Sequence, residues 1–251
     1  LISGLVDHIC PQKHVRERIK VYSFFELCQE LLNEFEPGNS KLYSDVTWGL
    51  EEHIDEIFRE FYRCQASYTK ARVLQPLHRS LSALGFDSEN YIREEFDWIR
   101  SAISKGDRDE YLDIERSGRG YKLDKARRGP ILEGLEYWEE KMKDVGVIDY
   151  PGLTTALNNY KNDIRPRFRS ILVDEVQDFG TTELELVRKL VLKDENDIFV
   201  CGDLAQHILP KHQSFSSAGI EVAGRSNRIL KNYRNSREIL RAAYEVLLQN
   251  L

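Results

Sequence analysis

Two neighbouring carboxylates follow a short apolar run in the segment "ILVDEVQDF", residues 171–179. The apolar run is typical of a buried β-strand, but burial gives no reason for Asp174 and Glu175 at its end. One carboxylate there can hold Mg²⁺ through its oxygens, and a second can orient and deprotonate a water molecule. These are two roles that hydrolytic phosphoryl transfer requires. The simpler alternative is that both residues only cap the helix that follows the strand.

A second apolar run, "NDIFVCGD" at residues 196–203, also ends in an acidic residue, Asp203. The segment between the two runs, "TTELELVRKLVL", has the spacing of apolar residues that is typical of an amphipathic helix. Two apolar strands joined by a helix predict parallel strands of a doubly wound sheet. Ligands of such sheets bind beyond the carboxyl ends of the strands. We therefore expect Asp174, Glu175 and Asp203 to face one cleft.

The rest of the chain supplies the elements around this predicted sheet. Near the start, a short strand at Ile19–Tyr22 is expected to lead into a helix that stops at Pro37 and Gly38. Residues 47–157 show only helical periodicity, in "GLEEHIDEIFREFY", "ARVLQPLHRSLSAL", "NYIREEFDWIRSAI" and "GPILEGLEYWEEKMKDV". The chain closes with "RILKNYRNSREILRAAYEVLL", which predicts a strand entering a long helix. The predicted fold class is α/β, with an all-helical block inserted into a parallel sheet.

Composition limits the classes of protein to which the chain can belong. With 251 residues and 41% hydrophobic content, it can form one large domain or two small ones. It has no apolar run long enough to cross a bilayer and no secretory signal at its start, so a cytoplasmic location is the default expectation. The four cysteines form no CxxC pair, which favours reduced thiols. The net charge of -6 argues against a protein that coats nucleic acid, but a local basic surface is compatible with it.

One stretch of the helical block is strongly basic. Residues 116–128, "RSGRGYKLDKARR", carry six cationic side chains and one acidic side chain. Arginine and lysine on a glycine-containing loop can follow phosphates without reading the sequence of bases. We expect nucleic-acid contacts from Arg119, Lys122, Arg127 and Arg128. The alternative is a solvated loop followed by the start of a helix.

Three segments, "VDEVQDF", "VCGDLAQHIL" and "LKNYRNSREIL", resemble motifs II, III and IV of the UvrD/Rep/PcrA-type superfamily 1 helicases in their order and separations. The earlier segment "VYSFFELCQELL" resembles motif Ib of the same family. The resemblance implies a RecA-like P-loop NTPase sheet with an inserted all-helical subdomain. It divides the chain into part of the N-terminal motor domain, a helical 1B-like insertion, the rest of that motor domain and the start of a second one, at residues 1–46, 47–157, 158–226 and 227–251.

By similarity to the family, the motifs assign roles to particular residues. Asp174 would be the Mg²⁺ ligand, and Glu175 would be the base that aligns the attacking water. Gln206 would sense the γ-phosphate of ATP, Tyr233 would stack on its adenine, and Arg234 would be the arginine finger. The implied cofactors are ATP and Mg²⁺, and the implied partner is single-stranded DNA. The implied activity is that of an ATP-dependent helicase or translocase.

The segments expected to contact DNA depart from the family pattern. Contact is implied for three residues of the segment that resembles motif Ib, Ser23, Phe24 and Phe25. The family usually has a histidine where this chain has Phe25. Motif III normally continues through an aromatic residue that stacks on a base, whereas "ILPKHQSF" places Lys211 near that position. Either Phe215 or His212 replaces the stacking platform, or the chain holds the strand more by charge than by stacking.

Some parts of the family's motor have no counterpart in these 251 residues. The sequence contains no GxxxxGK[ST] phosphate loop and no motifs V and VI. We expect the chain to be a core fragment of a longer helicase, with little or no ATPase activity of its own. One alternative is a nucleic-acid-binding or scaffold module derived from a helicase without ATPase activity. Another is a metal-dependent nuclease site formed by Asp174, Glu175 and Asp203.

Overall fold

A computed structural model of the chain describes residues 2–44, 48–66, 72–116, 119, 121–203, 206, 208–229 and 235–249. The chain divides into two compact units, residues 1–220 and residues 221–251. The helices in the described ranges are α1 (Ile2–Ile9), α2 (Lys13–Arg16), α3 (Phe24–Phe35), α4 (Ser40–Ser44), α5 (Trp48–Gln65), α6 (Gln75–Ala83), α7 (Ser88–Ala102), α8 (Lys125–Val145), α9 (Tyr150–Asn158), α10 (Thr181–Lys189) and α11 (Arg237–Gln249). The strands are β1 (Ile171–Val173) and β2 (Ile198–Val200), and short 3-10 segments lie at Pro37–Asn39, Lys105–Leu112 and Val176–Asp178. None of the helices that the structure describes is both long enough and apolar enough to cross a membrane.

Helix α3 begins and ends where the sequence predicts. Ser23 is its N-cap, because the Ser23 Oγ accepts a hydrogen bond from the Glu26 N–H at 3.2 Å and the Glu26 carboxylate accepts one from the Ser23 N–H at 2.8 Å. Pro37 lies just beyond its C-terminal end. The predicted strand at Ile19–Tyr22 is wrong, since this segment has no strand structure and its apolar side chains are between 36% and 42% exposed. A strand needs a neighbour for its backbone groups, and the described sheet contains only β1 and β2.

The helical block is built around an aromatic core. The four helices predicted from periodicity are confirmed as α5, α6, α7 and α8. Phe58 of α5 contacts Phe96 of α7 and Trp138 of α8 edge to face, with ring centroids 6.2 Å and 5.0 Å apart. Gly134 of α8 allows a close approach to Leu74, whose side chain would lie 2.7 Å from a β-carbon at that position. Burial of these side chains stabilises the block more than the helix propensity of its residues does.

The α/β part of the chain is a small parallel sheet with α10 between its strands. β1 pairs with β2 in parallel, with Leu172 opposite Phe199. One face of the sheet packs on α10 through Val173, Leu184 and Val187. On the other face, Leu172 and Phe199 are 76% and 61% exposed. The prediction of parallel strands joined by a helix is confirmed, and the described chain is mostly helical with a small parallel sheet.

The C-terminal end of α7 connects the helical block to the sheet. The Thr182 hydroxyl of α10 lies 3.1 Å and 3.3 Å from the carbonyl oxygens of Arg100 and Ser101. The Ser101 Oγ accepts a hydrogen bond from the backbone N–H of His212 at 3.0 Å. A β-carbon at Gly180 would lie 2.6 Å from the Ser101 β-carbon, so glycine is needed for this approach. The end of α7 is therefore held by α10 and by the segment after β2.

The C-terminal unit, residues 221–251, contains α11. Ser236 precedes this helix, and its Oγ accepts a hydrogen bond from the Ile239 N–H at 3.4 Å. The long helix predicted for this region is confirmed. Of the strand predicted before it, residues 228–229 have no strand structure and residues 230–234 lie outside the described residues.

Candidate active site

The predicted acidic residues lie at the carboxyl ends of the two strands. Backbone pairing continues past both strands, because the Cys201 N–H donates to the Val173 carbonyl and the Val176 N–H donates to the Cys201 carbonyl, each at 2.9 Å. This pairing places Asp174–Glu175 beside the end of β2, with Asp203 two residues beyond Cys201. The residues that follow the two strands therefore lie against each other, as expected for parallel strands.

Glu175 has a backbone conformation that is rare for a residue with a side chain. Its φ and ψ angles are 51° and 42°, in the left-handed region. Its N–H donates to Asp174 Oδ1 at 3.0 Å, and its side chain makes no capping bond to the 3-10 turn that follows. Conformations of this kind cost about 1–3 kcal/mol and cluster at functional sites. The geometry therefore favours a chemical role for Glu175 over simple capping.

Gln177, which is buried, connects the two strand ends. Its Nε2 donates to Glu175 Oε2 at 2.7 Å, and its Oε1 accepts a hydrogen bond from the Asp203 N–H at 3.0 Å. Gly202 leaves room for this amide, because a β-carbon at Gly202 would collide with Gln177 Oε1. The Glu175 carboxylate is thus held by a buried amide that is itself fixed to the other strand end.

In the described part of the chain, the protein engages one carboxylate oxygen of Asp174. Its Oδ1 accepts the hydrogen bond from Glu175 and lies 3.2 Å from the sulfur of Cys201. Burial, together with the nearby Asp174 carboxylate, raises the pKa of the Cys201 thiol. In the part of the chain that the structure describes, no three His, Cys, Asp or Glu side chains are grouped to hold a metal ion. Mg²⁺ usually takes one or two carboxylates and completes its coordination with water and phosphate oxygens, and the residues at this edge suit that mode of binding.

The other residues predicted to contact nucleotide are described only in part. The Gln206 Nε2 donates to Asp203 Oδ2 at 3.0 Å, and the Gln206 side chain is exposed in the loop after β2. Tyr233 and Arg234 lie outside the described residues. Their roles toward adenine and the γ-phosphate therefore stay predictions.

Two of the residues in the segment that resembles motif Ib line a cavity. Ser23 caps α3, whereas the rings of Phe24 and Phe25 pack on Phe179 and Tyr150, with centroids 5.1 Å and 4.2 Å apart. Phe24 and Phe25 also form part of the wall of a cavity of about 370 Å³, which α7, α9 and the segment after β2 complete. The structure thus places both rings at a cavity wall, and their contact with DNA stays a prediction.

A charged cluster that sequence reasoning missed forms another wall of this cavity. Arg100 of α7, whose side chain is 1% exposed, donates to both carboxylate oxygens of Asp149, at 2.7 Å and 2.5 Å. Asp97 lies one helical turn before Arg100, and burial raises the pKa of Asp97 to about 6. No sequence motif marks this cluster, because its members come from separate helices.

Lys211 is already bound by groups of the protein. Its Nζ donates to the two carboxylate oxygens of Glu183, at 2.8 Å and 2.9 Å, and to the Asp178 carbonyl at 2.8 Å. The side chains of Lys211 and Glu183 are 14% and 5% exposed. These contacts neutralise the Lys211 charge inside the fold. The alternative in which the chain holds the DNA strand more by charge than by stacking stays a prediction, and it has to rely on other cations.

The two predicted stacking platforms are both half-buried. The His212 ring packs on Trp98 with centroids 5.1 Å apart, and burial lowers the pKa of His212. Phe215 packs against the apolar cluster that contains Val176 and Ile220. Which of the two rings meets a base stays a prediction.

The basic stretch at residues 116–128 is largely engaged inside the helical block. Arg116 and Arg119 both form ion pairs with Glu95 of α7, which is fully buried, and their side chains are 4% and 7% exposed. Arg128 donates to three backbone carbonyl groups, at 2.7 Å, 2.8 Å and 3.2 Å. A phosphate contact by Arg119 or Arg128 would leave Glu95 or the carbonyl groups unpaired, so the geometry argues against it. The predicted DNA contacts of Arg119 and Arg128 stay predictions.

Two of the predicted cations lie on the surface. Lys122 is exposed, and Arg127 is 43% exposed, with a 3.0 Å hydrogen bond to the Tyr121 hydroxyl. The sequence reasoning missed Glu95, which precedes Arg116 by 21 residues. The position of Glu95 among the apolar residues of α7 indicates that it is buried. A buried carboxylate requires cationic or hydrogen-bonding partners, so this position was a signal of the ion pairs.

Comparisons with known proteins agree on one family. The family model described as UvrD/REP helicase N-terminal domain matches residues 6–220. ATP-dependent DNA helicase UvrD1 of Mycobacterium tuberculosis is 36% identical over 101 residues, which cover 34% of this chain and 13% of that protein. The protein of the same name from Mycobacterium bovis gives the same values. An ATP-dependent helicase/nuclease subunit of Bacillus cytotoxicus is 36% identical over 90 residues, which cover 30% of this chain and 7% of that protein.

The family match extends over both strands, the strand-end acidic residues and the helical block. The matched segments span only 13% and 7% of the length of these relatives. No solved structure matches the chain significantly. On the strength of the family match, the chain belongs to the UvrD/REP helicase N-terminal domain family.

Proposed function

We propose that the chain is part of an ATP-dependent superfamily 1 DNA helicase or translocase, which couples Mg–ATP hydrolysis to movement along single-stranded DNA. The observation that carries the proposal is the strand-end arrangement, in which the buried amide of Gln177 joins Glu175 to Asp203. Membership of the family supports a DNA helicase as the parent protein. ATP dependence is part of the names of the relatives above. A cytoplasmic location belongs to the same proposal.

Each residue at the strand ends has a separate role in this proposal. Mg²⁺ supplies positive charge that neutralises the phosphates of ATP, and Asp174 is the residue that would hold it. Glu175 orients the attacking water and accepts its proton. Gln177 keeps the Glu175 carboxylate in place through the 2.7 Å hydrogen bond. Gln206 senses the γ-phosphate from the loop after β2.

Other parts of the motor are included in the proposal by resemblance to the family alone, because the geometry of the described residues does not support them. Tyr233 would stack on the adenine and Arg234 would act as the arginine finger from the second motor domain. A RecA-like P-loop fold also requires a phosphate loop, and these 251 residues contain no GxxxxGK[ST]. We propose that a longer parent supplies the loop and motifs V and VI. We therefore expect the 251-residue chain alone to have little or no ATPase activity.

The proposed DNA contacts use fewer residues than the sequence predicts. Phe24 and Phe25 at the cavity wall and Phe215 after β2 are the candidates for contact with bases. Lys122 and Arg127, which are exposed, are the candidates for contact with phosphates. Phosphate contacts by these two cations should make DNA binding weaker as the salt concentration rises.

One observation favours a second candidate function. The lack of a phosphate loop in this chain suits a nucleic-acid-binding or scaffold module that has no ATPase activity. Such a module would bind DNA with an affinity that does not change when nucleotide is added. A motor would bind DNA with an affinity that depends on the nucleotide state.

Hydrolysis of ATP by the full-length parent, stimulated by single-stranded DNA, tests the proposal, and Glu175→Gln is the decisive variant. We expect its turnover to fall roughly 100-fold or more while ATP binding is retained, because loss of a general base typically costs 10²–10⁴ in rate. Glu195→Gln is the matched control, since Glu195 is exposed in the loop before β2. If Glu175→Gln hydrolyses ATP at the wild-type rate, Glu175 is not the general base. A parent without any stimulated turnover would favour the scaffold.

A further inference from the structure

The Cys201 thiol lies against the candidate metal ligand. Its sulfur is 3.2 Å from Asp174 Oδ1 and 3.6 Å from the Val173 carbonyl oxygen. The thiol has a single proton to donate. The Asp174 carboxylate is a better acceptor for it than the Val173 carbonyl, because the carboxylate is nearer and hydrogen bonds to charged acceptors are the stronger ones. Cys201 has little freedom to move away, since its backbone N–H and carbonyl are both bonded to residues of the other strand end.

The two donors on Asp174 Oδ1 come from different parts of the fold. One is the Glu175 N–H, at 3.0 Å, in the turn after β1. The other is the Cys201 thiol, at the end of β2. Among the residues that the structure describes, none donates to Asp174 Oδ2. Donors that engage one oxygen of a carboxylate fix its plane and leave the other oxygen for a cation, as outer partners do at metal sites in general.

We propose that Cys201 is a positioning residue for the divalent cation. Its thiol holds Asp174 Oδ1, so that Oδ2 is the oxygen that meets the metal. The inference rests on the metal role of Asp174 in the proposed function and adds a residue to it. Cys201 acts through Asp174 and needs no contact with the metal, with ATP or with DNA.

Two substitutions of Cys201 separate the hydrogen bond from the packing. Cys201→Ser keeps a donor at the same place, and Cys201→Val keeps the volume but removes the donor. Binding of Mn²⁺ to the 251-residue chain, followed by electron paramagnetic resonance, is the measurement. We expect Cys201→Val to weaken Mn²⁺ binding about threefold to tenfold, and Cys201→Ser to stay within about twofold of the wild type, because the lost interaction is one hydrogen bond to a charged group. Circular dichroism verifies that each variant is folded, and both substitutions conserve size.

If Cys201 acted through packing alone, the order of Mn²⁺ affinities would be the opposite. Cys201→Val would then bind Mn²⁺ like the wild type, and Cys201→Ser would bind it more weakly. That order, or equal affinities in all three proteins, would overturn the inference.

Asp174→Asn separates the inference from the proposed function. If Asp174→Asn loses Mn²⁺ binding while Cys201→Val does not, only the role of Cys201 fails. If Asp174→Asn binds Mn²⁺ like the wild type, the metal site and the role of Cys201 fail together. If the parent hydrolyses no ATP but Cys201→Ser and Cys201→Val differ in Mn²⁺ affinity as expected, the positioning role of Cys201 stands and the motor function fails.

Discussion

Glu95 and Glu175 are two glutamates of the same unit with opposite surroundings. Glu95, in the helical block, is fully buried and is bound by Arg116, Arg119 and the Tyr111 hydroxyl. Glu175, at the strand ends, is exposed and accepts a hydrogen bond from a buried amide. The acceptor capacity of Glu95 is used inside the protein, whereas much of the Glu175 carboxylate faces solvent.

The difference shows how the fold assigns one residue type to two purposes. Burial acts to raise the pKa of Glu95, but the hydrogen bond and charge of Arg116 outweigh it, so the pKa is lowered and the carboxylate stays ionised. A carboxylate bound in this way stabilises the fold and has no oxygen left for a substrate. Glu175 has an unusual backbone conformation and an open face, which suit a group that has to meet water and nucleotide. The buried ion pair and the proposed catalytic carboxylate therefore lie in different regions of the unit.

The largest expected effect on stability comes from removing the buried charge. Glu95→Gln leaves Arg116 without its counter-charge and leaves Arg119 with only Glu94, and breaking a buried pair costs roughly 3–5 kcal/mol of unfolding free energy. Glu94→Gln is the matched control, because Glu94 pairs with the same Arg119 but is 38% exposed. The control should lose less than about 1 kcal/mol. Urea unfolding followed by circular dichroism measures both, and similar losses would remove the distinction between the two carboxylates.

An intermediate effect is expected at Lys211, which connects the strand-end region to α10. Lys211→Met leaves the buried Glu183 without its cation and should cost about 2–3 kcal/mol, less than Glu95→Gln because Glu183 keeps the hydrogen bond from the Gly180 N–H. Lys161→Met is the control, since Lys161 is 29% exposed and lies 3.7 Å from its partner, Glu185. Urea unfolding should give the control a loss of less than about 1 kcal/mol.

The same lysine variant also tests whether Lys211 has a second role. If its charge is fully used inside the fold, Lys211→Met should leave the affinity of the parent for single-stranded DNA unchanged. Fluorescence anisotropy with a labelled oligonucleotide measures this affinity. Weaker binding by a folded Lys211→Met variant would show that the Lys211 charge also contacts the DNA.

The smallest expected effect depends on pH. Burial raises the pKa of Asp97 from 3.8 to about 6, so between these values the folded protein keeps a proton that the unfolded chain has released. The stability given by the protonated form is therefore lost as the pH rises through 6. Asp97→Asn stays neutral and should be more stable than the wild type by about 1 kcal/mol at pH 8, with the difference vanishing near pH 4. The expected gain in stability is kept small because the Asp97 side chain is 31% exposed to solvent.

Thermal unfolding from pH 4 to pH 8 checks this difference. A gain in stability that is the same at every pH would show that the asparagine acts through packing. A loss at pH 8 would mean that the ionised Asp97 is needed by Arg100, which lies 3.5 Å away.

Local patterns were sufficient to predict most elements of the fold. The apolar periodicity of the helical block, the stop of α3 at Pro37 and the apolar runs around α10 all lie within short segments, and the structure confirms each of them. The strand at Ile19–Tyr22 was not predictable in the same way. Whether an apolar segment forms a strand depends on a neighbour elsewhere in the chain, and a local pattern carries no information about it.

The candidate site was predictable where its residues are adjacent in sequence or follow a predicted strand, as Asp203 does. Asp174 and Glu175 stand side by side after an apolar run, so their chemistry could be inferred directly. The contact of Cys201 with Asp174 joins positions 27 residues apart, and a sequence gives no sign of it. The basic stretch misled for a related reason. A sequence shows that Arg119 is charged, but its burial against Glu95 depends on how the segment before α8 packs on α7.

The contacts at the end of α7 limit how this chain can be redesigned or can have evolved. A block tied to its host only by two linkers can be deleted, and a short loop then closes the gap. Here, removal of residues 47–157 would take away the acceptors of the Thr182 hydroxyl and the His212 N–H. It would also leave an empty space beside Gly180. A shortened chain without the helical block would therefore need compensating substitutions in α10 and after β2, and a simple deletion should yield a poorly folded protein.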